Sequence, residues 1–170
     1  MFSLKGMTAA ITGGTSGIGE AVAARFVAAG ARVVIIGRRD GAEVARKVGA
    51  VAAVRADCSQ EREIARALQE ARDLLGEDLD VLVNNAGIEN TGPLIADATG
   101  EELNRIFAIN TFAVFHGLKY GQALLKDGAS VINTASIAAH LGGPGYGPYV
   151  AAEAAVLSLT RSAAVELAPR

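Results

Sequence analysis

The chain has 170 residues, of which 51% are apolar and 20% charged, and its net charge at pH 7 is −2. This balance gives no electrostatic reason to expect a nucleic acid or an acidic membrane as a partner, and no apolar run is long enough to span a bilayer. The single cysteine, Cys58, excludes an internal disulfide and suits a reducing compartment. We therefore expect a cytoplasmic protein whose residues 1–170 form a single domain.

Short apolar runs alternate along the chain with segments of helical period. The predicted strands are residues 7–12, 32–36, 51–55, 79–83 and 130–134. The predicted helices are residues 16–29, 41–48, 59–75, 99–125 and 149–168. Such alternation predicts an α/β fold, a Rossmann-like doubly wound parallel sheet of about five strands in the order 3-2-1-4-5, with helices on both faces.

Several of these elements carry boundary signals. Gly30 is predicted to end the first helix, and Ser59 to cap the third. Thr99 and Glu102 have the spacing of a capping box at the start of the fourth helix. Residues 142–148 are too rich in glycine and proline for regular structure and are predicted to form a loop.

A glycine-rich turn, TGGTSGIG at residues 12–19, joins the first predicted strand to the first helix. Glycines allow the backbone to approach a ligand closely, and a helix N-terminus offers unpaired N–H groups and partial positive charge to a pyrophosphate. The turn could be a simple connection, but its flanking strand and helix favour dinucleotide binding. The predicted contact residues are Gly13, Thr15, Ser16, Gly17, Ile18 and Gly19.

Further motifs extend this pattern along the chain. NNAG at residues 84–87 follows the fourth strand, Asn110 lies in the fourth helix, and Ser136 precedes Tyr149 by thirteen residues. Together with the glycine-rich turn, these motifs resemble the short-chain dehydrogenase/reductase family over essentially the whole chain. The resemblance implies reversible carbonyl/alcohol chemistry on a small-molecule substrate with a nicotinamide cofactor. It also implies that the family's last two strands and most of its substrate loop lie beyond residue 170.

The second strand is followed by Gly37, Arg38 and Arg39. Gly37 offers no carboxylate for the adenosine ribose hydroxyls of NAD(H), whereas Arg38 can pair with the 2′-phosphate of NADP(H). Alternatively, both arginines are ordinary solvated charges. We expect NADP(H) to be the preferred cofactor, with NAD(H) as the alternative.

The resemblance assigns further cofactor contacts. Asp57 and Cys58 match the family's adenine-contacting position after the third strand, although Asp57 could simply cap the next helix. Cys58 is expected to be a small packing residue rather than a nucleophile. Asn84, Ala86 and Gly87 belong to a segment that packs beside the cofactor in the family and steadies the sheet; a polar turn ending a strand is the alternative.

The same resemblance assigns three catalytic residues. Asn110, a poor helix former inside a predicted helix, would kink that helix and hold a water for proton relay, unless it is merely solvated. Ser136 would hydrogen-bond the substrate oxygen. Tyr149 would give that oxygen a proton during reduction or remove one during oxidation.

One position departs from the family. Glu153 stands four residues after Tyr149, where the family has a lysine that assists the tyrosine and holds the nicotinamide ribose. Residues i and i+4 share a helix face, so the carboxylate is expected near the phenol, where negative charge disfavours the phenolate. A carboxylate could still accept hydrogen bonds from ribose hydroxyls, and Tyr146 is a candidate substitute acid. We expect an oxidoreductase with an impaired proton relay; the alternatives are a non-catalytic nucleotide-binding sensor or scaffold, and a truncated fragment.

The resemblance also implies a homodimer or homotetramer formed through the long fourth and last helices. An apolar stripe along the last helix supports this expectation and comprises Val156, Leu159, Ala163 and Leu167. The strand at residues 130–134 is expected at a sheet edge, which invites pairing. His116 and His140 are too few and too distant in sequence to predict a metal site, and His140 is a candidate for the substrate mouth.

Overall fold

The computed structural model describes residues 3–89 and 91–170. Five parallel strands form one sheet in the order β3-β2-β1-β4-β5, which confirms the predicted fold class and strand order. The strands are β1 (Thr8–Thr12), β2 (Arg32–Gly37), β3 (Ala52–Arg55), β4 (Leu79–Asn84) and β5 (Leu125–Asn133). The α-helices are α1 (Gly17–Ala28), α2 (Ala42–Val48), α3 (Glu61–Leu75), α4 (Gly100–Phe107), α5 (Ala113–Gly121) and α6 (Gly147–Leu167).

The core lies on both faces of the central strands. Along β2, Val34 and Ile36 pack with residues of α3, whereas Val33 and Ile35 pack on the opposite face with residues of α1 and α2. All four side chains are inaccessible to solvent. Burial of each such aliphatic side chain contributes roughly 1.5–3 kcal/mol, so the alternating faces of one strand hold both helical layers in place.

The predicted helix at residues 99–125 is interrupted in the structure. A π-helical turn (Ala108–Phe112) separates α4 from α5, a 3₁₀ turn (Gln122–Leu124) follows, and Leu125 already begins β5. The predicted end of this helix and the predicted strand limits of 130–134 were therefore wrong. β5 pairs with β4 at Leu125 and again from Ser130, and the irregularity between them is accommodated by Gly128, whose φ is +78°.

Two helix starts also differ from the prediction. Ser59 does not cap α3: Gln60 holds the N-cap position, and no side chain caps the helix there. The Asp57 carboxylate instead accepts hydrogen bonds from the Ser59 N–H at 2.9 Å and the Ser59 hydroxyl at 2.8 Å. α6 begins at Gly147, with Pro148 in its first turn, so the end of the predicted loop is helical.

The predicted cap at Thr99 and the predicted stop at Gly30 are both present. The Thr99 hydroxyl oxygen accepts a hydrogen bond from the Glu102 N–H at 3.1 Å, and Gly30 follows α1 with a φ of +98°. β5 lies at one edge of the sheet, as expected. Within residues 3–89 and 91–170, no helix combines the length and apolar character needed to cross a membrane.

Candidate active site

A cleft of about 600 Å³ opens at the carboxyl ends of the strands. Residues that follow each of the five strands line it, because parallel strands all end at the same edge of a sheet. β2 and β3 lie on one side of β1, and β4 and β5 lie on the other, so the cleft spans the point at which the strand order reverses. This is where open α/β sheets bind their ligands, and the volume is in the range of cofactor sites.

The cleft brings together nearly all of the residues predicted from the sequence. Two of them, Gly19 and Asn84, do not line it. The predicted residues that do are Gly13, Thr15, Ser16, Gly17, Ile18, Arg38, Arg39, Asp57, Cys58, Ala86, Gly87, Asn110, Ser136, Tyr149 and Glu153.

Gly19 and Asn84 do not line the cleft but pack against the elements that form it. Gly19 lies in α1, where a Cβ atom would overlap the carbonyl oxygen of Gly13, so its lack of a side chain lets the helix pack on the turn. Asn84 is buried at the end of β4, and its Nδ2 donates to the Asn133 Oδ1 at 2.8 Å. Asn133 in turn donates to the Thr160 hydroxyl oxygen at 3.0 Å, which links β4 and β5 to α6.

The glycine-rich turn has the geometry of an anion cradle. Gly13 adopts a left-handed φ of +68°, and an added Cβ would lie 2.9 Å from the Ala86 Cα. Gly17 has a φ of +56°, and a Cβ there would meet only open space. Ser16 holds the N-cap of α1 but makes no side-chain capping bond, which leaves the first N–H groups of the helix available to phosphate oxygens.

Two arginines give the β2 end of the cleft positive charge. The Arg39 Nη2 donates to the Ser16 hydroxyl oxygen at 2.9 Å, which holds the guanidinium beside the start of α1. Arg38 also lines the cleft. Gly37, immediately before it, brings no carboxylate, and its missing side chain leaves room for Thr15 to pack against β2.

Asp57 and Cys58 lie where β3 gives way to α3. The Asp57 carboxylate is engaged by Ser59, and the Asp57 N–H donates to Glu63 at 2.8 Å. Cys58 is buried, and this burial, together with the negative charge of Asp57, raises the pKa of the thiol to about 11. A thiol that stays protonated at neutral pH suits a packing residue.

Thr12 holds the segment that follows β4. Its hydroxyl oxygen accepts from the N–H groups of Asn85 at 2.9 Å and Ala86 at 3.1 Å, and the Thr134 hydroxyl donates to the Asn85 Oδ1 at 3.2 Å. Asn85 and Thr134 line the cleft but were not predicted as site residues, although each directly follows a strand. Ala56 directly follows β3 and Ala135 is the second residue after β5, so the same signal could have identified both; Gly37 at the end of β2, and Ile88 and Glu89 farther along the segment after β4, also line the cleft.

Asn110 is buried within the π-helical turn, so the helix is irregular at this residue, as expected. Its Oδ1 accepts from the Ile88 N–H at 2.9 Å, and its Nδ2 donates to the Ile88 carbonyl oxygen at 3.0 Å. The Nδ2 also donates to the Glu153 Oε1 at 2.7 Å. These contacts exclude a solvated helix position and tie the turn to α6 and to the segment that follows β4.

Glu153 is only 5% exposed, so its carboxylate lies within the wall of the cleft. It accepts a hydrogen bond from the Asn110 Nδ2, and the nearby backbone N–H of Ser136 also favours its charged form. Burial raises the pKa of this carboxyl, and the two N–H donors act in the opposite direction. The hydrogen bond described for the Glu153 side chain therefore comes from Asn110 and not from the Tyr149 phenol.

Ser136 and Tyr149 mark the β5 end of the cleft. The Ser136 hydroxyl oxygen accepts from the Ala138 N–H at 3.1 Å, an arrangement that leaves the hydroxyl hydrogen to donate. Tyr149 is half-buried in the first turn of α6, edge-on to Tyr146 with ring centroids 6.4 Å apart. Tyr146 and the exposed His140 do not line the cleft.

The chain is similar in sequence to known proteins. The profile of a family described as short chain dehydrogenase matches residues 7–170. An NADP-dependent (R)-specific alcohol dehydrogenase of Lentilactobacillus kefiri is 37% identical over 97% of the chain and 68% of that protein. Zerumbone synthase of Zingiber zerumbet is 34% identical over 96% of the chain and 64% of its own length.

Two solved structures are similar in fold as well as in sequence. A dehydrogenase/reductase from Sinorhizobium meliloti is 37% identical with a TM-score of 0.90, covering 99% of this chain and 69% of the other. A short chain dehydrogenase from Burkholderia cenocepacia in complex with NADP is 33% identical, also with a TM-score of 0.90, covering 98% of this chain and 71% of the other.

Proposed function

Because the chain belongs to the short-chain dehydrogenase family, we propose that its cleft binds NADP(H) for the reversible reduction of a small carbonyl compound or oxidation of the alcohol. One observation carries this proposal. A single cleft joins the glycine-rich turn and two arginines at its β2 end to Ser136 and Tyr149 at its β5 end. The relative from Lentilactobacillus kefiri is NADP-dependent by name, and the Burkholderia cenocepacia structure is a complex with NADP, which supports the same cofactor here.

The residues at the β2 end fit the phosphates of such a cofactor. The uncapped first turn of α1 and the left-handed Gly13 would hold the pyrophosphate, since both present backbone N–H groups at close range. Arg38 and Arg39 would hold the 2′-phosphate, with the Ser16 hydroxyl as a further donor beside Arg39. Asp57 and Cys58 would lie beside the adenine. NAD(H) would bind more weakly than NADP(H), because the contacts with the 2′-phosphate would be lost.

The residues at the β5 end would handle the substrate oxygen. The Ser136 hydroxyl, which already accepts from Ala138, would donate to that oxygen. The Tyr149 phenol would supply the proton that the oxygen needs in reduction and recover it in oxidation. The cofactor, when bound, supplies or removes the hydride.

Glu153 gives a second candidate function, a nucleotide-binding protein with little or no turnover. A carboxylate lends no positive charge to the Tyr149 phenolate, and the Asn110 side-chain NH₂ group already donates to Ile88 and Glu153. We propose that turnover is weak for these reasons, while the phosphate contacts at the other end of the cleft are retained.

Binding and turnover can be tested separately. Calorimetric titration with NADPH should show saturable binding that weakens in Gly17→Ala, because the added methyl enters the open cradle. Gly76→Ala is the matched control, since Gly76 is also left-handed, at +75°, with open space around it, but it ends α3 away from the cleft.

A reductase assay over a panel of carbonyl compounds then separates the two candidates. Turnover that disappears in Tyr149→Phe identifies an oxidoreductase, whereas binding without turnover identifies the second candidate. Absence of NADPH binding in the parent chain would overturn both.

We also propose that residues 1–170 act as one dinucleotide-binding unit in the cytoplasm and associate as a homodimer or homotetramer. Of the predicted stripe on α6, Val156 is buried, and Ala163 and Leu167 border a groove beside β5. Along the predicted fourth and last helices, the exposed large apolar side chains are Leu103 at 40%, Phe112 at 47%, Phe115 at 46% and Val165 at 78% exposure. A monomer mass in light scattering at micromolar concentration would contradict association.

A further inference from the structure

The β5 end of the cleft holds a buried carboxylate at the point where the reactive end of a nicotinamide cofactor would lie. We propose that Glu153 makes this site discriminate between the oxidation states of the cofactor. The oxidised form, whose nicotinamide ring is positively charged, binds in preference to the reduced form, whose ring is neutral. This inference rests on the proposed function, because it requires the cofactor to occupy the cleft.

The direction in which the cofactor lies follows from the two ends of the cleft. A 2′-phosphate at Arg38 and Arg39 fixes the adenosine half on the β2 side of β1. With the pyrophosphate on the turn before α1, the nicotinamide half extends toward β4 and β5. Glu153 lines that half of the cleft together with Ser136.

The charge of Glu153 acts strongly because the side chain is shielded from solvent. A charge removed from water interacts over short distances through a lower effective dielectric constant than an exposed one. The Asn110 amide that donates to it and the nearby Ser136 N–H are both neutral, so they favour the carboxylate without cancelling its charge.

The other charged groups of the cleft do not offset this charge. The titratable or charged residues that line it with Glu153 are Arg38, Arg39, Asp57, Cys58, Glu89 and Tyr149. Among these described lining residues, the cations are both at the β2 end. The nicotinamide end is therefore anionic, the opposite of a site with a lysine at this position.

The ionisation of Glu153 supplies a second consequence. Burial raises the pKa of its carboxyl, so the carboxylate is neutralised at a higher pH than that of an exposed glutamate. Preference for the oxidised cofactor should therefore decrease as the pH falls. The 2′-phosphate and pyrophosphate are common to both forms, so their own titration cancels in the ratio of the two affinities.

The test is calorimetric titration of the parent chain and of Glu153→Gln with NADP⁺ and NADPH at neutral pH. The ratio of the NADPH to the NADP⁺ dissociation constant should fall at least about fivefold in Glu153→Gln, the lower end of ordinary coupling between two groups. Glu89→Gln is the matched control, since Glu89 is an exposed carboxylate in the same cleft and its effect is screened.

The outcomes separate this inference from the proposed function. If the parent chain binds neither form, the proposed function fails. If both forms bind but the ratio is the same in Glu153→Gln as in the parent, the inference fails and the proposed function stands. Should Glu153→Gln not fold, titrations of the parent from mildly acidic to mildly alkaline pH decide: a constant ratio overturns the inference, and a ratio that rises with pH supports it.

Discussion

Replacing Glu153 with lysine would restore the family residue but remove the acceptor around which this site is built. The Asn110 Nδ2 donates to the carboxylate and the Ser136 N–H lies near it, whereas an ammonium group is itself only a donor. Asn110 cannot turn its amide to present an oxygen, because that would break its two hydrogen bonds with the Ile88 backbone. Glu153→Lys therefore leaves the buried Asn110 donor facing a buried cation.

The expected cost follows from these contacts. A hydrogen bond to a charged group contributes about 1.5–3 kcal/mol, and breaking a buried charged arrangement by removing one partner costs about 3–5 kcal/mol. We predict that Glu153→Lys lowers the free energy of unfolding by about 3–5 kcal/mol, a large part of the roughly 5–15 kcal/mol available to a domain. Glu153→Gln keeps one acceptor oxygen and is expected to lose only about 1–3 kcal/mol.

Urea unfolding followed by far-ultraviolet circular dichroism measures these differences, provided that the dependence on urea concentration is the same in all three proteins. Because Gln has nearly the same shape as Glu, the comparison separates the loss of charge from the loss of packing. A lysine variant within about 1 kcal/mol of the parent, which is less than one charged hydrogen bond is worth, would refute the role of the carboxylate as acceptor.

Four further predictions concern cofactor choice, catalysis, acid stability and the thiol. Arg38→Asp should reverse the order of NADPH and NADH affinity in calorimetric titrations, and equal affinities for the two cofactors in the parent chain would contradict the role of Arg38. Glu153→Lys, assayed under conditions in which it is folded, should raise any reductase turnover at least about tenfold; equal rates in parent and variant would show that charge beside Tyr149 does not limit turnover. Hydrogen bonds from Lys119 and Tyr120 lower the pKa of Glu61 from 4.5 to about 2. As the pH falls, the Glu61 carboxylate of the unfolded chain is protonated before that of the folded chain. The stability that Glu61 contributes is therefore present above pH 4.5 and is lost toward pH 2. In Glu61→Gln, the free energy of unfolding should decrease less over this pH range than it does in the parent chain. Because burial raises the pKa of the Cys58 thiol to about 11, alkylation at neutral pH should be slow and should accelerate only in strongly alkaline solution, as mass spectrometry of this single-cysteine chain would show.

The central strands could be predicted because their signal is local. β1, β2 and β4 are short apolar runs that the helices cover on both faces, and each stands out from its polar flanks. The glycine-rich turn could also be predicted from local sequence, because such a turn needs backbone freedom at Gly13 and Gly17. Both residues adopt positive φ angles in the structure. Strand ends and glycine turns then locate the cleft, because parallel strands present their carboxyl ends together.

The boundaries that could not be predicted depend on competing or distant partners. Ser59 has the chemistry of an N-cap, but the Asp57 carboxylate two residues earlier engages both its N–H and its hydroxyl. The π-helical turn depends on Asn110, whose partners Ile88 and Glu153 are 22 and 43 residues away in the chain. The helical periodicity of residues 99–125 therefore gives no sign of the π-helical turn.

Glu153 shows why the meaning of a substituted residue cannot be taken from its position alone. Spacing along a helix predicted a carboxylate beside the Tyr149 phenol, but the hydrogen bond described for it comes from Asn110 in the π-helical turn. The neighbouring residue shows the same connection, since the Thr111 hydroxyl donates to the Ala152 carbonyl oxygen at 3.1 Å. Two successive residues of α6 thus bond to two successive residues of the π-helical turn. A lysine at position 153 would have to fit within this contact between α6 and the turn. The charge at this position therefore affects stability and cofactor preference as directly as it affects the tyrosine.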